Sequence, residues 1–381
     1  MIPTDMYKRT IDDLLAPIAA YMQDSSVSEI LINGPNQVFV ERRGKLERTE
    51  ARFENAEAVL SALRAVAQYT GQFIDVRTPV LEARLPDGSR LEALTAPIAE
   101  QGPVVAIRRF SRSTMTLAKL VELGALPVDA ARALAAMTIA KCNIIVAGGT
   151  GSGKTSLLNV LGGCIPIDER VLVLEDTREL CIERDHVVYL EARKPDENGE
   201  DAVTIRDLFR ASLRMRPDRV VVGEIRGAEA LDMVQAMVSG HGGGLSTLHA
   251  THPRDTLTRL ETMCMMSDVV MPLAAIRMQI GSGIGLIVQV ARLRDGSRKI
   301  THITELAGFD ADSGKYRLID LYVRRYRTLE GHVHSELLPT GALPTFSSSL
   351  EEHGVALPES MLRAHAHWSA QPDHGGDGGS P

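Results

Sequence analysis

The chain has 381 residues, 44% of them hydrophobic and 24% charged, with a formal net charge of −7. That length allows two or three domains with a sizeable core, and the acidic surplus gives no support to a surface that tracks nucleic acid. No apolar run nears the ~20 residues that span a bilayer, residues 1–10 lack the basic and apolar regions of a signal peptide, and the four cysteines (Cys142, Cys164, Cys181, Cys264) have no C-x-x-C spacing, which argues against a zinc site and fits a reducing cytoplasm.

In chain order, Ile11, Leu14, Leu15 and Ile18 recur at helical spacing and predict a helix over 8–23. Strands are expected at 27–32 and 37–41, separated by Asn33-Gly34-Pro35-Asn36, and a second helix at 56–69. Two strands flank the hairpin signal Pro86-Asp87-Gly88, and Val104 to Phe110 closes a small α+β domain whose helices pack on an antiparallel sheet. Three arginines stand out here: Arg90 at the start of a strand, and Arg108 and Arg109, which as neighbours face opposite sides of theirs. They are either solvated surface charge or cations that reach phosphate in trans or across a domain cleft, and spacing alone does not choose. Residues 111–116 read as a linker.

The second region leads through helices at 117–123 and 128–140 to an apolar strand, Asn143 to Ala147. Directly after it stands Gly148-Gly149-Thr150-Gly151-Ser152-Gly153-Lys154-Thr155, which fits G-x-x-x-x-G-K-[ST] at every required position, and Ser156 continues it as a helix. A strand, a glycine-rich loop and a helix start together aim backbone N–H groups at a polyphosphate. Lys154 would reach the β/γ-phosphates and Thr155 would sit on Mg²⁺. A strand at 170–174 ends in Glu175, placed where ligands of open α/β sheets bind. Another, at 219–224, ends in Glu224, where a carboxylate can polarise the attacking water or hold the Mg²⁺ shell. His241 and His249 flank the strand Leu245 to Ala250, and a γ-phosphate sensor role is open to His249. Helices follow at 252–265 and 272–281. A hairpin (285–293 and 298–306) then turns at Asp295-Gly296-Ser297-Arg298, repeating the turn chemistry of residues 87–90, and a strand follows at 316–326. Beyond about residue 361 the His, Gly, Asp and Ser content predicts disorder, and His365, His367 and His374 are too irregularly spaced for a metal site.

Taken together, Gly148 to Thr155, Leu174 to Leu180, Leu213 to Gly227, Ser239-Gly240-His241 and Ser246 to Ala250 resemble the Walker A, Asp box, Walker B and His box of the type II/IV secretion and pilus ATPase superfamily. Stretches such as Arg84 to Arg90, Ile107 to Phe110 and Arg292 to Arg298 are most similar to its CpaF/TadA branch, which assembles tight-adherence (Tad, type IVc) pili. The resemblance covers roughly residues 10–325. It implies a RecA-like P-loop motor domain (113–345) behind a smaller, PAS-like α+β domain (1–112), with a C-terminal extension at 346–381. It further implies ATP and Mg²⁺ as cofactors, Glu175 and Glu224 sharing water activation and metal organisation, and arginines matching Arg90, Arg108 and Arg109 on the phosphates. A homohexamer in the cytoplasm, docked on inner-membrane platform proteins at the inner face of the membrane, completes the expectation. A ring-shaped nucleic-acid translocase or a conjugation-type secretion ATPase is the alternative. A GTP switch would need an N-K-x-D element, and none occurs.

Overall fold

The computed structural model describes residues 4–42, 44–109, 115–193, 195, 200–329 and 332–369. They divide into two units, Met1–Ser113 and Thr114–Pro381. Phe110, most of the expected linker and the tail from 370, with His374, lie outside the described residues.

The first unit runs α1 (Thr4–Leu14), a 3-10 turn (Ala16–Ile18), α2 (Ala19–Gln23), β1 (Val27–Asn33), β2 (Val38–Arg42), β3 (Lys45–Arg48), α3 (Ala56–Tyr69), β4 (Val80–Arg84), β5 (Arg90–Leu94) and β6 (Val104–Arg108). The single helix expected over 8–23 is broken around Pro17, because proline lacks the N–H that the helical ladder needs. Six strands form one sheet in the order β3-β2-β1-β6-β5-β4, all pairs antiparallel. Alternate residues (Ile30, Ile32, Val38, Val40, Leu91, Ile107) point inward and pack with Val59, Leu63 and Val66 of α3. Asn55 starts α3 by accepting the Ala58 N–H at 2.9 Å. Strand β3, fully exposed, has no apolar alternation to announce it.

The second unit runs α4 (Leu117–Glu122), α5 (Val128–Ile139), β7 (Ile144–Gly148), α6 (Lys154–Gly162), β8 (Val171–Glu175), β9 (Val187–Glu191), α7 (Ile205–Ser212), β10 (Arg219–Val222), α8 (Glu229–Val238), β11 (Leu245–Leu248), α9 (Pro253–Met265), α10 (Leu273–Gly283), β12 (Leu286–Arg292), β13 (Arg298–Asp310), β14 (Lys315–Leu329), β15 (His332–Pro339), α11 (Ser347–Glu352) and α12 (Glu359–Ser369). Nine strands form a sheet in the order β15-β14-β13-β12-β7-β11-β10-β8-β9. From β12 to β9 all pairs are parallel, and β13 to β15 add an antiparallel flank. The central strands β7, β8 and β11 are buried along their whole length, as a parallel sheet covered on both faces requires. One face packs on α5 and α6, the other on α7 to α10.

Arg219, 1% exposed, pins the amino ends of these strands. Its guanidinium donates to the carbonyls of Thr138 (2.8 Å), Ile139 (3.3 Å) and Gly243 (3.4 Å) and pairs with Glu169. A buried charge needs this degree of pairing. At the C-terminal end the structure corrects the expectation of disorder from about 361. Residues 359–369 are helical, with Met361 completely buried and the His365 ring bonded to the Gly341 carbonyl at 2.7 Å.

Candidate functional site

Strands β7, β11, β10 and β8 are parallel neighbours, so the loops that follow them meet at one edge of the sheet. Ligands of open α/β sheets bind at that edge. The loop after β7 is the glycine-rich motif. Gly151 (φ +67°) and Gly153 (φ +97°) both adopt the left-handed conformation, which side chains disfavour. Space around Gly149 is open where a Cβ would stand. Gly153 precedes α6, whose first-turn N–H groups have no acceptor inside the helix. The loop therefore has the shape, the backbone donors and the dipole direction that a polyphosphate fits.

Lys154 is 8% exposed. Its Nζ donates to the Gly149 carbonyl at 3.1 Å and stands 3.2 Å from His249 Nε2. The same ring nitrogen is 3.1 Å from Glu224 Oε1. A neutral imidazole nitrogen either accepts or donates, so its tautomer decides whether it serves Lys154 or Glu224. Burial, then the Lys154 charge, holds the His249 pKa below the usual imidazole value, although Glu224 pulls it upward. The other Glu224 oxygen accepts from Arg226 Nε (2.9 Å) and Nη2 (2.6 Å), and Arg226 also reaches Asp176 Oδ2 at 3.4 Å. β11 holds this segment in place: Ser246 Oγ donates to the Val222 carbonyl at 2.9 Å, and Thr247 Oγ1 to the Gly223 carbonyl at 2.7 Å.

Glu175, 5% exposed, is engaged differently. Its Oε1 accepts the N–H groups of Glu179 and Leu180, each at 3.0 Å. A Cβ on Gly223 would lie 2.8 Å from Glu175 Cγ, so glycine is what lets the two strands' ends close on this carboxyl. The bonds shape the turn that brings Glu179 Oε2 to 3.5 Å from Thr155 Oγ1. Thr155 and Glu179 thus offer a hydroxyl and a carboxylate oxygen side by side, the donor set that Mg²⁺ takes.

Of the residues singled out from sequence, Lys154 and Glu224 both contact His249, which lies between them. His241 does not join them. It precedes Leu245, which pairs with Ile144 at the start of β7, whereas the phosphate loop follows that strand's end. Its neighbour Gly242 faces the Lys141 carbonyl. The four residues of β11 put about 13 Å of strand between the two histidines that flank it. Arg109 lies in the first unit. Its Nη1 donates to the carbonyls of Asp24 and, at 3.3 Å, Val27, so the side chain clamps the α2–β1 turn of its own unit. Arg108 and Arg90 are paired in register on β6 and β5, with Arg84 next in the same row. Arg90 Nη2 bonds Glu82 at 2.7 Å. Arg84, Glu179 and Arg226 were visible only as members of motif stretches. Their side chains gain meaning from the register and the turn geometry, which spacing does not give.

The family model described as "Type II/IV secretion system protein" matches residues 12–317. A putative conjugal transfer protein of Mycobacterium tuberculosis is 35% identical over 285 residues, covering 73% of this chain and 80% of that protein. The type IV secretion system protein PtlH of Bordetella pertussis is 34% identical over 312 residues, covering 74% of this chain and 91% of PtlH. Among solved structures, the Legionella pneumophila ATPase DotB superposes with a TM-score of 0.55 at 20% identity, over 79% of this chain and 81% of DotB, a likeness of fold. An α+β unit followed in the chain by a RecA-like α/β unit is consistent with that likeness.

The Glu175 carboxyl yields a pH prediction. Burial pushes its pKa from 4.5 up to about 7; the amides of Glu179 and Leu180 pull it down, while the charges of Glu179 and Glu191 add to the rise. A pKa raised on folding contributes stability that is complete below the unfolded value and is lost as the pH climbs through the folded one. Between pH 5 and pH 8 the wild type should therefore lose stability that Glu175→Gln keeps, a difference on the order of 2–3 kcal/mol. Urea denaturation of both proteins at the two pH values measures it; parallel pH dependence would remove the buried charge from the account.

Proposed function

The chain belongs to the type II/IV secretion system protein family, and from that membership we propose that it is a magnesium-dependent ATPase. In this reading it works as a homohexamer and drives assembly, and reversal, of a Tad (type IVc) pilus. The observation that carries the catalytic part is the meeting of Lys154, Thr155, Glu179, Glu224 and His249 at the carboxyl ends of four parallel strands. The branch rests on the sequence resemblance stated above. A conjugation-type secretion ATPase is the second reading, favoured by the name of the mycobacterial relative.

The chemistry follows from the groups present. Lys154 exchanges the Gly149 carbonyl for β/γ-phosphate oxygens, and the N–H groups opening α6 take the remaining phosphate charge. Thr155 and Glu179 would hold Mg²⁺, which when bound neutralises charge on the transferred phosphoryl group. Glu224 orients the attacking water and draws its proton. Glu175 is spent on the turn that presents Glu179. His249, freed from Lys154 by phosphate, shifts toward Glu224 and so senses occupancy. Arg90 and Arg108 supply further positive charge to the phosphates, in cis or in trans, while Arg109 serves the fold of its own unit. No helix among the described residues is long and apolar enough to cross a membrane. The proposed place of work is the inner face of the cytoplasmic membrane, reached through platform proteins.

Two measurements test this reading. Phosphate release per milligram should rise with protein concentration as subunits assemble, because each would help complete its neighbour's site; specific activity that stays flat down to a proven monomer contradicts the ring. Arg108→Ala or Arg90→Ala should lower turnover on the order of 10³-fold, as loss of an arginine finger does, with only partial recovery in the Lys variants, which lack the planar fork. Unchanged turnover in the double alanine variant returns both residues to surface charge.

A further inference from the structure

The turn at 292–298 is built like the one at 84–90. Both read Arg-Leu-x-Asp-Gly-Ser-Arg. In each, the Leu N–H donates to the Ser carbonyl at 2.8 Å and the Gly N–H to the Leu carbonyl at 2.9 Å. In each, the Asp carboxylate takes the Ser N–H, at 2.8 Å in the first and 2.9 Å in the second. Both glycines have positive φ, +93° and +83°, as an Asp-Gly hairpin turn needs. The outcome is the same device twice: a cross-strand pair of arginines, Arg84 opposite Arg90 and Arg292 opposite Arg298.

The second pair lies against the phosphate loop. Arg298 Nε donates to the Gly151 carbonyl at 3.0 Å. A Cβ on Gly153 would come within 3.3 Å of Arg298 Cδ, and one on Gly151 within 3.9 Å of Arg292 Nη1. Gly151 and Gly153, both left-handed, are the positions through which the loop backbone can turn, while Ser152 between them is tied by its hydroxyl to the Gly149 carbonyl at 2.8 Å. A flip would turn the Gly151 carbonyl, with its negative end, toward the place where phosphate oxygens sit. The guanidinium bond keeps that carbonyl on the outside. It is charge-assisted, which makes it stronger than a neutral bond.

We propose that Arg298, presented by the β12–β13 hairpin, is a positioning residue that holds the phosphate loop in its anion-binding shape. This rests on the nucleotide-binding reading above. The test is calorimetric titration with ADP and Mg²⁺, beside melting curves without nucleotide, for the full-length wild type, Arg298→Ala, Arg298→Lys and Arg294→Ala. Arg294 belongs to the same turn. The wild type should bind, Arg298→Ala should raise Kd about tenfold, as loss of a hydrogen bond to a charged group does, and Arg298→Lys should fall between them. Ligand-free Tm should be unchanged in all four, and Arg294→Ala should bind like the wild type. A wild type that does not bind ADP overturns the nucleotide reading itself. A wild type that binds, with Arg298→Ala binding equally well, overturns only the positioning role. Equal loss in Arg298→Ala and Arg294→Ala, with both Tm values lowered, would also overturn it, since the hairpin would then be acting through general stability. If Arg298→Ala does not fold, Arg298→Lys with wild-type Kd overturns the proposal and an increased Kd at unchanged Tm supports it.

Discussion

Lys154 meets His249, and His249 meets Glu224, because β7, β11 and β10 run parallel as immediate neighbours. The register fixes which loops share an edge. Leu248 is level with Ala147, so the residue after β11 arrives beside the glycine loop. The segment after β10 is then tied to β11 by the Ser246 and Thr247 hydroxyls. Slipping one strand by one residue would turn its buried face outward, and both faces of this sheet are covered. Apolar burial on two sides therefore sets the relative position of three polar side chains, none of which contributes to that burial.

Charge is handled differently at the two ends of the sheet. At the amino ends, Arg219 is neutralised by Glu169 and by three backbone carbonyls, an arrangement that holds helix and loop ends together. At the carboxyl ends the polar groups are placed where they can exchange partners. Lys154 holds a loop carbonyl, a histidine nitrogen lies between two groups it cannot serve at once, and Arg226 spans Glu224 and Asp176. A phosphate entering the loop competes for the same cation, so binding can redistribute the whole set. Glu175 stands apart, since its buried carboxyl is fixed by two amides and its pKa lies near neutrality.

Much of the fold was legible because strong local patterns carried it. The runs Ile144 to Ala147, Val171 to Leu174 and Arg219 to Val222 are apolar apart from their leading Arg219, and the glycine loop between a strand and a helix admits few alternatives. Weak local patterns went unread. Strand β3 has a single apolar residue, Leu46, among charged ones, β15 mixes Val333, Leu337 and Leu338 with polar residues without strict alternation, and β9, though apolar from Val187 to Leu190, is the short strand that ends the sheet order. Helix α12 was hidden by its composition, and the burial of Met361 shows why it forms. Long-range partners were out of reach as well. Arg109 bonds carbonyls 82 and 85 residues away, and His241 and His249 can be told apart only when it is known which end of β11 faces the loop. The second Asp-Gly-Ser-Arg was read as a turn, which it is; its contact with Gly151 spans 147 residues.

The central claim is that this constellation hydrolyses ATP with Glu224 acting on the attacking water. The most direct measurement compares ATP binding with phosphate release for the wild type, Glu224→Gln and Lys154→Ala. The account predicts that Glu224→Gln binds ATP about as well as the wild type while releasing phosphate at least ~100-fold more slowly, the scale of general acid–base catalysis, and that Lys154→Ala neither binds nor turns over. Wild-type phosphate release from Glu224→Gln would contradict it.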